Sequence, residues 1–342
     1  MAGVHAVVVV VVAVVAAAEV RIKNSPFRTV LYRCSAGLKL KLSVEECRSL
    51  SLGIAFFNSS FIIGIMLSHL PSLGVGLGFR EPFKSDLFLN RQQADFLEIV
   101  AEHYLDAPVL KQQELELLAA HFPIIPHAIN LSLGSAEGLD RDYLSKLAAL
   151  IKQLNPPWWS EHICFTKAGG IDIGHLSPLP YTQEAVEVVC RNIAEVRRWI
   201  DVPLILENIT YMVTLPGAEM TEAQFLAQVV ERADCGLLLD VTNLHTNAVN
   251  HGYDVRQFLK ELPTERVVQL HFVGGHWHDG VLIDSHSQST PVEVWQLMDE
   301  VVAKFPVKGI VLERDENLPP FAELVEELQQ ARQIVRSYGK WG

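Results

Sequence analysis

From Leu73 onward the chain repeats one pattern eight times: a short apolar run rich in β-branched residues, a polar turn and an amphipathic helical segment. Apolar runs such as Leu237-Leu238-Leu239 are typical of strands that are buried on both faces, as in a parallel sheet. Eight strand–helix units in about 265 residues match the size of a (β/α)8 barrel. A doubly wound sheet would need a glycine-rich phosphate loop after the first strand, and the glycines at 74–79 have the wrong spacing. The sequence therefore predicts an α/β fold, a TIM barrel with an extra N-terminal segment.

The apolar runs and the helical periodicity set bounds for the individual elements. The predicted strands are Gly74–Phe79, Phe96–Glu102, Pro126–Leu131, Trp159–Phe165, Leu204–Glu207, Gly236–Val241, Val267–Phe272 and Gly309–Glu313. The clearest helical patterns are Asp140–Leu154, Gln183–Ile200, Glu222–Arg232, Asp254–Leu262, Pro291–Phe305 and Pro319–Tyr338. We expect Thr182, Thr221 and Thr290 to cap three of these helices, because a threonine hydroxyl accepts a hydrogen bond from an amide of the first turn.

Residues 1–69 are predicted to form a separate N-terminal extension, with the barrel domain at 70–338. The first 72 residues carry seven Lys/Arg and three Glu, whereas the remainder carries 21 Lys/Arg and 37 acidic residues. Residues 4–18 are nearly all Val and Ala, which is short for a membrane span of about 20 residues. No Lys or Arg precedes them as in a signal peptide. A second apolar stretch, 50–67, is interrupted by Asn58-Ser59-Ser60.

Three interpretations of this extension stay open. It is a membrane or export signal, an accessory or poorly ordered segment, or the product of a start codon assigned too far upstream. The predicted location is cytoplasmic, and the alternative is membrane association through the N-terminal apolar segments.

Charge and cysteine content exclude several classes of protein. The acidic barrel region disfavours a nucleic-acid binder, which needs Lys and Arg to replace phosphate counterions. An apolar content of 49% disfavours a mainly disordered chain. Five cysteines without a Cys-x-x-Cys pair indicate neither a disulfide framework nor a thiolate zinc site.

Polar side chains lie in or directly after most of the predicted strands, and buried carboxylates and imidazoles are costly unless they are paired or bind metal. The carboxyl ends of barrel strands meet at one mouth, so these groups are expected to face a common centre. A set of His, Asp and Glu without Cys suits Fe, Mn or Zn. Asp284 and His286 are two residues apart, so both side chains can face one metal ion if the loop is extended. Taken singly, Asp240 could instead cap the following helix. Asn247, Asn250 and His251 could have no role beyond shaping a turn before the next helix.

The barrel region resembles the multinuclear non-haem iron-dependent oxidative enzymes, of which the methanobactin biosynthesis oxidase is the best-known type. The matching stretches run in the family's order over residues 70–335 and are Gly74-Val-Gly-Leu-Gly-Phe-Arg80, Glu98-Ile-Val-Ala-Glu-His-Tyr104, His127-Ala-Ile-Asn-Leu-Ser-Leu-Gly134, Ser160-Glu-His-Ile163, Leu206-Glu-Asn208, Leu237-Leu-Leu-Asp-Val-Thr-Asn243, Asn247-Ala-Val-Asn-His-Gly252, His271 with Gly275-His276, Asp284-Ser-His286 and Leu312-Glu-Arg-Asp315. The chain departs from the family pattern at His103 and Thr242, where the family usually has Asn. These two positions are expected to line the mouth and to bear on substrate preference.

The resemblance implies an oxidase that contains two or three iron ions, as Fe(II) and Fe(III), and that uses O2 as co-substrate. Its implied substrate is a cysteine of a ribosomally synthesised precursor peptide, which a small partner protein can present. Glu207 resembles a bridging carboxylate, and Glu207, Asp240 and Asn243 are the implied catalytic residues. The implied metal ligands are His127, His162, Glu207, Asp240, His271, Asp284, His286 and Glu313.

Two other functions stay open at this point. One is a metal-dependent isomerase or hydrolase on the same barrel, similar to sugar isomerases or apurinic endonucleases, which use comparable strand-end sites. A phosphate or DNA substrate would call for basic residues at the mouth, and the predicted mouth loops contain few. The other is a metal-storage or scaffold protein, which an open mouth disfavours, because structural metal sites tend to be closed.

Overall fold

The computed structural model describes residues 29–33, 39–43, 67 and 69–341. These residues fall in two units, Met1–Ile62 and Ile63–Gly342. In the first unit, β1 (Thr29–Arg33) pairs antiparallel with β2 (Lys39–Ser43). The apolar stretches 4–18 and 50–67, on which the membrane and export interpretations depend, lie outside the described residues except for Leu67. Within the described ranges, no helix is long and apolar enough to cross a membrane.

Eight parallel strands of the second unit close into a barrel, which confirms the predicted (β/α)8 TIM fold. Each strand pairs with the next barrel strand along the chain, and pairing of the last with the first closes the ring. In chain order the barrel strands are β3 (Gly74–Gly78), β4 (Leu97–Val100), β5 (Ile124–Ala128), β6 (Trp159–His162), β9 (Leu204–Glu207), β10 (Gly236–Asp240), β11 (Val267–Phe272) and β14 (Gly309–Leu312).

Helices follow the strands, and their apolar faces pack on the outside of the barrel. They are α1 (Lys84–Leu89), α2 (Val109–Ala119), α3 (Arg141–Leu154), α4 (Gln183–Val196), α5 (Glu222–Arg232), α6 (Val241–His251), α7 (Val255–Glu261), α8 (Val292–Lys304) and α9 (Phe321–Ser337). Thr182 and Thr221 cap α4 and α5 as predicted. The predicted cap at Thr290 is wrong: α8 begins after Pro291, and the Thr290 hydroxyl donates to Glu327 instead.

Two antiparallel hairpins extend the barrel beyond the predicted strands. They are β7 (Phe165–Ala168) with β8 (Ile171–Ser177), and β12 (Gly274–His278) with β13 (Val281–Gln288). The predicted strand Trp159–Phe165 is therefore wrong beyond His162, where the chain leaves the barrel for the first hairpin.

The strands predicted at Phe96–Glu102 and Pro126–Leu131 also end earlier than expected, at Val100 and Ala128. Strand β4 ends where a 3-10 helix begins at Ala101, and the end of β5 is explained by the Glu102 carboxylate. It lies in a 3-10 turn and accepts hydrogen bonds from the backbone amides of Ile129 and Asn130, at 2.7 and 2.9 Å. Those amides bond to a side chain rather than to a neighbouring strand.

The interior of the barrel is layered, because alternate strand residues point inward. An apolar layer consists of Phe96, Ile125, Trp158, Ile205, Leu238, Val268 and Val311. Gly76 leaves room for this layer, since a Cβ there would lie 2.8 Å from the Phe96 ring. Two residues further along most of these strands the inward positions are polar, at Glu98, His127, Ser160, Glu207, Asp240 and Glu313. The strand period therefore places a polar layer directly above an apolar floor.

Candidate metal centre

Three overlapping groups of imidazoles and carboxylates lie at the carboxyl ends of the barrel strands. In each group the potential ligand atoms all lie within 4.8 Å of one another. The groups are His127, His162 and Glu207; Glu207, Asp240, His271 and Glu313; and His286, Glu313 and Asp315. The first two groups share Glu207, and the second and third share Glu313.

In the first group, two imidazoles face one oxygen of Glu207. Nε2 of His127 and Nε2 of His162 each lie 3.3 Å from Glu207 Oε2. On the far side of the His127 ring, Nδ1 lies 2.8 Å from the buried Ser160 hydroxyl, which sets the orientation of that ring. The buried Glu161 carboxylate lies 3.6 Å from Nδ1 of His162. Both imidazoles therefore point Nε2 at the same point in space.

In the second group, the buried His271 ring lies between carboxylates. Its Nδ1 is 3.3 Å from Glu207 Oε1 and 3.0 Å from Glu313 Oε2. Its Nε2 is 2.7 Å from Glu98 Oε1, and the second oxygen of Glu98 accepts a 2.6 Å hydrogen bond from Gln269. Glu98 thus holds the ring so that Nδ1 faces the centre, an arrangement common for histidines that bind metals.

The third group combines the hairpin strand β13 with the end of β14. Nδ1 of His286 lies 3.1 Å from Asp315 Oδ2, and Nε2 lies 2.9 Å from Asp284 Oδ1. The other oxygen of Asp284 accepts a 3.2 Å hydrogen bond from the Thr210 hydroxyl. Asp284 and His286 therefore lie side by side, as their spacing predicted, although they belong to a strand rather than to a loop.

Asp240 and Asn243 connect the centre to α6. The Oδ1 atom of Asp240 accepts hydrogen bonds from the amides of Thr242 and Asn243 and so caps this helix. The Nδ2 group of Asn243 donates to the carbonyl of Asn208 at 2.9 Å. Capping uses one oxygen of Asp240 and leaves the other free for the centre.

The donor atoms of the centre fit divalent metal ions. Within the described part of the chain, several buried polar atoms here form no hydrogen bond; they are Glu207 Oε2, Asp240 Oδ2, Asn243 Oδ1, His162 Nδ1, His271 Nδ1, Asp284 Oδ1 and both ring nitrogens of His286. Burying polar atoms without a partner costs free energy, so their concentration at one place indicates a ligand. A set of imidazole nitrogens and carboxylate oxygens without sulfur suits Fe, Mn or Zn.

The pKa values show how strongly these groups interact. Burial opposes protonation of His162, but Glu207 and Glu161 outweigh it and raise the His162 pKa to about 9. Burial, together with the charges of Glu207 and Asp284, raises the pKa of Asp240 to about 7. Burial would also raise the pKa of Glu313, yet the imidazoles around it hold that pKa well below its ordinary value.

Seven of the eight predicted ligands belong to these three groups, and the eighth, Asp284, contacts one of them, His286. Asn243 lies beside them through its hydrogen bond to Asp240, whereas His276 and His278 are exposed on the β12–β13 hairpin. Glu98 and Asp315 were not predicted as part of the site. Glu98 lies two residues after the inward-facing Phe96, so strand periodicity contained a signal for it. Asp315 lies beyond the end of β14, where strand periodicity gives no signal. Arg80 forms ion pairs with Asp315 and Glu313 and so links the first barrel strand to the last.

Known proteins resemble the chain over the whole barrel. The family described as RiPP precursor modification enzyme MbnB/TglH/ChrH matches residues 74–336. A UPF0276 protein of Rhizorhabdus wittichii is 38% identical over 266 residues, which are 77% of this chain and 95% of that protein. A UPF0276 protein of Caulobacter vibrioides is 37% identical over 263 residues, which are 77% of this chain and 94% of that protein.

Solved structures with the same barrel are distant in sequence. D-psicose 3-epimerase from Clostridium cellulolyticum, solved with D-tagatose, matches 78% of this chain and 99% of its own with a TM-score of 0.54 and 13% identity. A D-tagatose 3-epimerase-like protein matches 77% of this chain and 98% of its own, with a TM-score of 0.50 and 14% identity. At such identities the likeness shows the fold alone.

Proposed function

The chain belongs to the family of RiPP precursor modification enzymes MbnB/TglH/ChrH, and from this membership we propose that it is a multinuclear non-haem iron enzyme. In this proposal it uses dioxygen to oxidise a cysteine residue of a ribosomally synthesised precursor peptide. The observation that carries the proposal is the chain of three ligand groups joined through Glu207 and Glu313. Shared carboxylates of this kind suit a cluster of ions rather than one isolated ion.

We assign the ligands to two or three iron ions, as Fe(II) and Fe(III). His127 and His162 hold the innermost position with Glu207, and His271 and Asp240 hold the middle one with Glu207 and Glu313. His286 and Asp284 hold the outermost position with Glu313 and Asp315. Iron bound there would supply one-electron redox chemistry for the oxidation of a cysteine by dioxygen.

Glu207 joins the first two positions in this assignment. Its Oε2 atom faces His127 and His162, and its Oε1 atom faces His271. Each oxygen therefore serves a different group, and the carboxylate keeps the two groups in a constant relation. The apolar floor beneath it, which includes the fully buried Trp158 and Phe96, excludes water from that side.

Asp240 and Asn243 carry the free polar atoms on the side of α6. Because the Asp240 carboxylate is held by helix amides, its second oxygen is oriented before any ligand binds. The Oδ1 atom of Asn243 is buried beside it and forms no hydrogen bond with the described residues.

The substrate approaches from the mouth, where the segments after the barrel strands expose large apolar side chains. Ile171, Met212, Val213 and Trp277 are each more than 60% exposed. They offer contact area to a peptide or to a small protein that presents it. A metal-dependent isomerase or hydrolase is the weaker candidate, because the likeness to an epimerase at 13% identity shows the fold alone, whereas family membership favours peptide modification.

Metal analysis of anaerobically purified protein tests this proposal. We expect two or three irons per chain, a Mössbauer spectrum containing Fe(II) and Fe(III), and oxygen uptake when a cysteine-containing peptide from the same gene neighbourhood is added. A single zinc or manganese ion without oxygen consumption would refute the proposal.

The variant Glu207→Gln tests the bridging role. Since it weakens a ligand shared by two positions, we expect iron affinity to fall by more than about 100-fold, beyond the loss typical of residues that only support ligands. Glu116→Gln, on the exposed face of α2, is the control and should keep wild-type iron content. Full iron occupancy in Glu207→Gln would contradict the bridging assignment.

A further inference from the structure

The asparagines of α6 connect the barrel to the hairpin strand β13. Asn250 forms two hydrogen bonds with the backbone of Leu282: its Oδ1 accepts from the amide at 3.0 Å, and its Nδ2 donates to the carbonyl at 2.8 Å. A neighbouring β-strand would satisfy the same two backbone groups. Asn250 thus holds β13 in place two residues before Asp284.

Asn247, one helical turn earlier, holds the loop after β9 in the same way. Its Nδ2 donates to the carbonyl of Ile209 at 2.9 Å, and its Oδ1 accepts from the amide of Tyr211 at 3.2 Å. Thr210 lies between these two anchored residues, and its hydroxyl donates to Asp284. Helix α6 therefore controls Asp284 from two sides, through the hairpin backbone and through Thr210.

Burial alone holds β13 only weakly. Of its eight residues, only Leu282 and Ser287 are buried. Asp284 lies two residues after Leu282 on the same face of the strand, so a shift of Leu282 moves Asp284 with it. His286 follows within a β-bulge, where its φ is 50°, and it contacts Asp284 directly. By contrast, His127, His162 and Glu207 lie on fully buried barrel strands. The two parts of the centre are thus supported by different kinds of contact.

We infer that Asn250, assisted by Asn247, is a positioning residue that sets the place of Asp284 and His286 relative to the ligands on the barrel strands. The outermost metal position then depends on α6, while the position of His127 and His162 does not. This inference rests on the proposed function to the extent that metal ions occupy the centre.

The test uses the full chain and three variants: Asn250→Ala, Asn250→Asp and, as control, Val249→Ala, whose side chain is exposed on the same helix. The aspartate keeps an acceptor for the Leu282 amide and removes the donor to its carbonyl. The first readout is hydrogen exchange at residues 281–286 of metal-free protein. We expect exchange about 10-fold faster in Asn250→Ala, consistent with the loss of two hydrogen bonds, and a smaller change in Asn250→Asp.

The second readout is an anaerobic titration with ferrous iron, followed by metal analysis and Mössbauer spectroscopy. In Asn250→Ala we expect one iron per chain to bind about 10–100-fold more weakly and its spectral component to disappear first. The remaining iron should bind as in wild type. Val249→Ala should match wild type in both readouts.

Wild-type exchange at 281–286 in Asn250→Ala would overturn the inference, and so would equal weakening of every iron position. If Asn250→Ala does not fold, Asn250→Asp decides by the same two criteria. Failure of the proposed function would look different: wild-type protein would bind no iron, or bind iron without oxygen uptake. In that case the difference in hydrogen exchange at residues 281–286 between metal-free wild type and Asn250→Ala would still decide the role of Asn250.

Discussion

A buried carboxyl outside the metal centre makes the stability of the fold depend on pH. Glu222 lies in the first turn of α5, and its Oε2 accepts hydrogen bonds from the hydroxyls of Tyr211 and Tyr253, at 3.0 and 3.4 Å. Burial raises its pKa to about 7, and the two hydroxyls offset only part of that rise. Folded protein therefore retains a proton on Glu222 that unfolded protein releases near pH 4.5.

The size of the effect follows from the two pKa values. Because the folded state binds this proton more tightly, its contribution to stability is complete below pH 4.5 and is lost as the pH rises through about 7. Each pKa unit corresponds to about 1.4 kcal/mol, so the free energy of unfolding loses about 1 kcal/mol by pH 5 and about 3 kcal/mol by pH 8. Glu222→Gln keeps an acceptor for the tyrosines and removes the titration. Relative to wild type, the free energy of unfolding of this variant should rise by about 2 kcal/mol between pH 5 and pH 8.

Urea unfolding at pH 5 and pH 8 measures this gain. Both proteins are kept metal-free with a chelator, so that metal binding does not add to stability. Comparing variant with wild type at each pH cancels the titration of every other group. Glu231→Gln, at an exposed position of the same helix, should show no pH-dependent difference. If Glu222→Gln shows none either, Glu222 does not have a raised pKa in the folded protein and the reasoning is wrong.

Two further substitutions test local contacts. Asp140→Ala removes the side chain that caps α3 and should lower stability by about 1 kcal/mol in thermal or urea unfolding; Asp140→Asn, which can still cap, should lose less, and equal losses would refute the capping role. Glu98→Gln weakens the support of His271 and should weaken metal binding about 10–100-fold in an anaerobic titration, whereas unchanged affinity would show that Gln269 alone holds the ring.

Much of the centre could be predicted because its residues violate a strong local pattern. His127, Glu207 and Asp240 stand out as polar side chains in apolar strands, and the barrel fold brings the ends of such strands together. Glu98 also lies at an inward-facing position of a predicted strand, but the local sequence does not show which side chain it contacts. Its role depends on contact with His271, which lies 173 positions further along the chain.

The two hairpins were not predicted, because local sequence pattern does not mark their strands. Strand β8 is exposed over its first five residues and has apolar side chains only at Ile171, Ile173 and Leu176, so it lacks the continuous apolar run that marks the barrel strands. Thr290 failed as a cap because Glu327 of α9 competes for its hydroxyl and amide, a contact that is not local in sequence.

Local pattern was enough to establish the eight strand–helix units, the barrel and the face on which the polar residues gather. These follow from periods of two and 3.6 residues, which are properties of short segments. Tertiary structure alone decided which imidazole faces which carboxylate. Glu207 comes between His127, His162 and His271 only because barrel closure brings distant strands within reach of one another. The third group likewise exists only because a hairpin anchored by α6 returns His286 to the end of the last barrel strand.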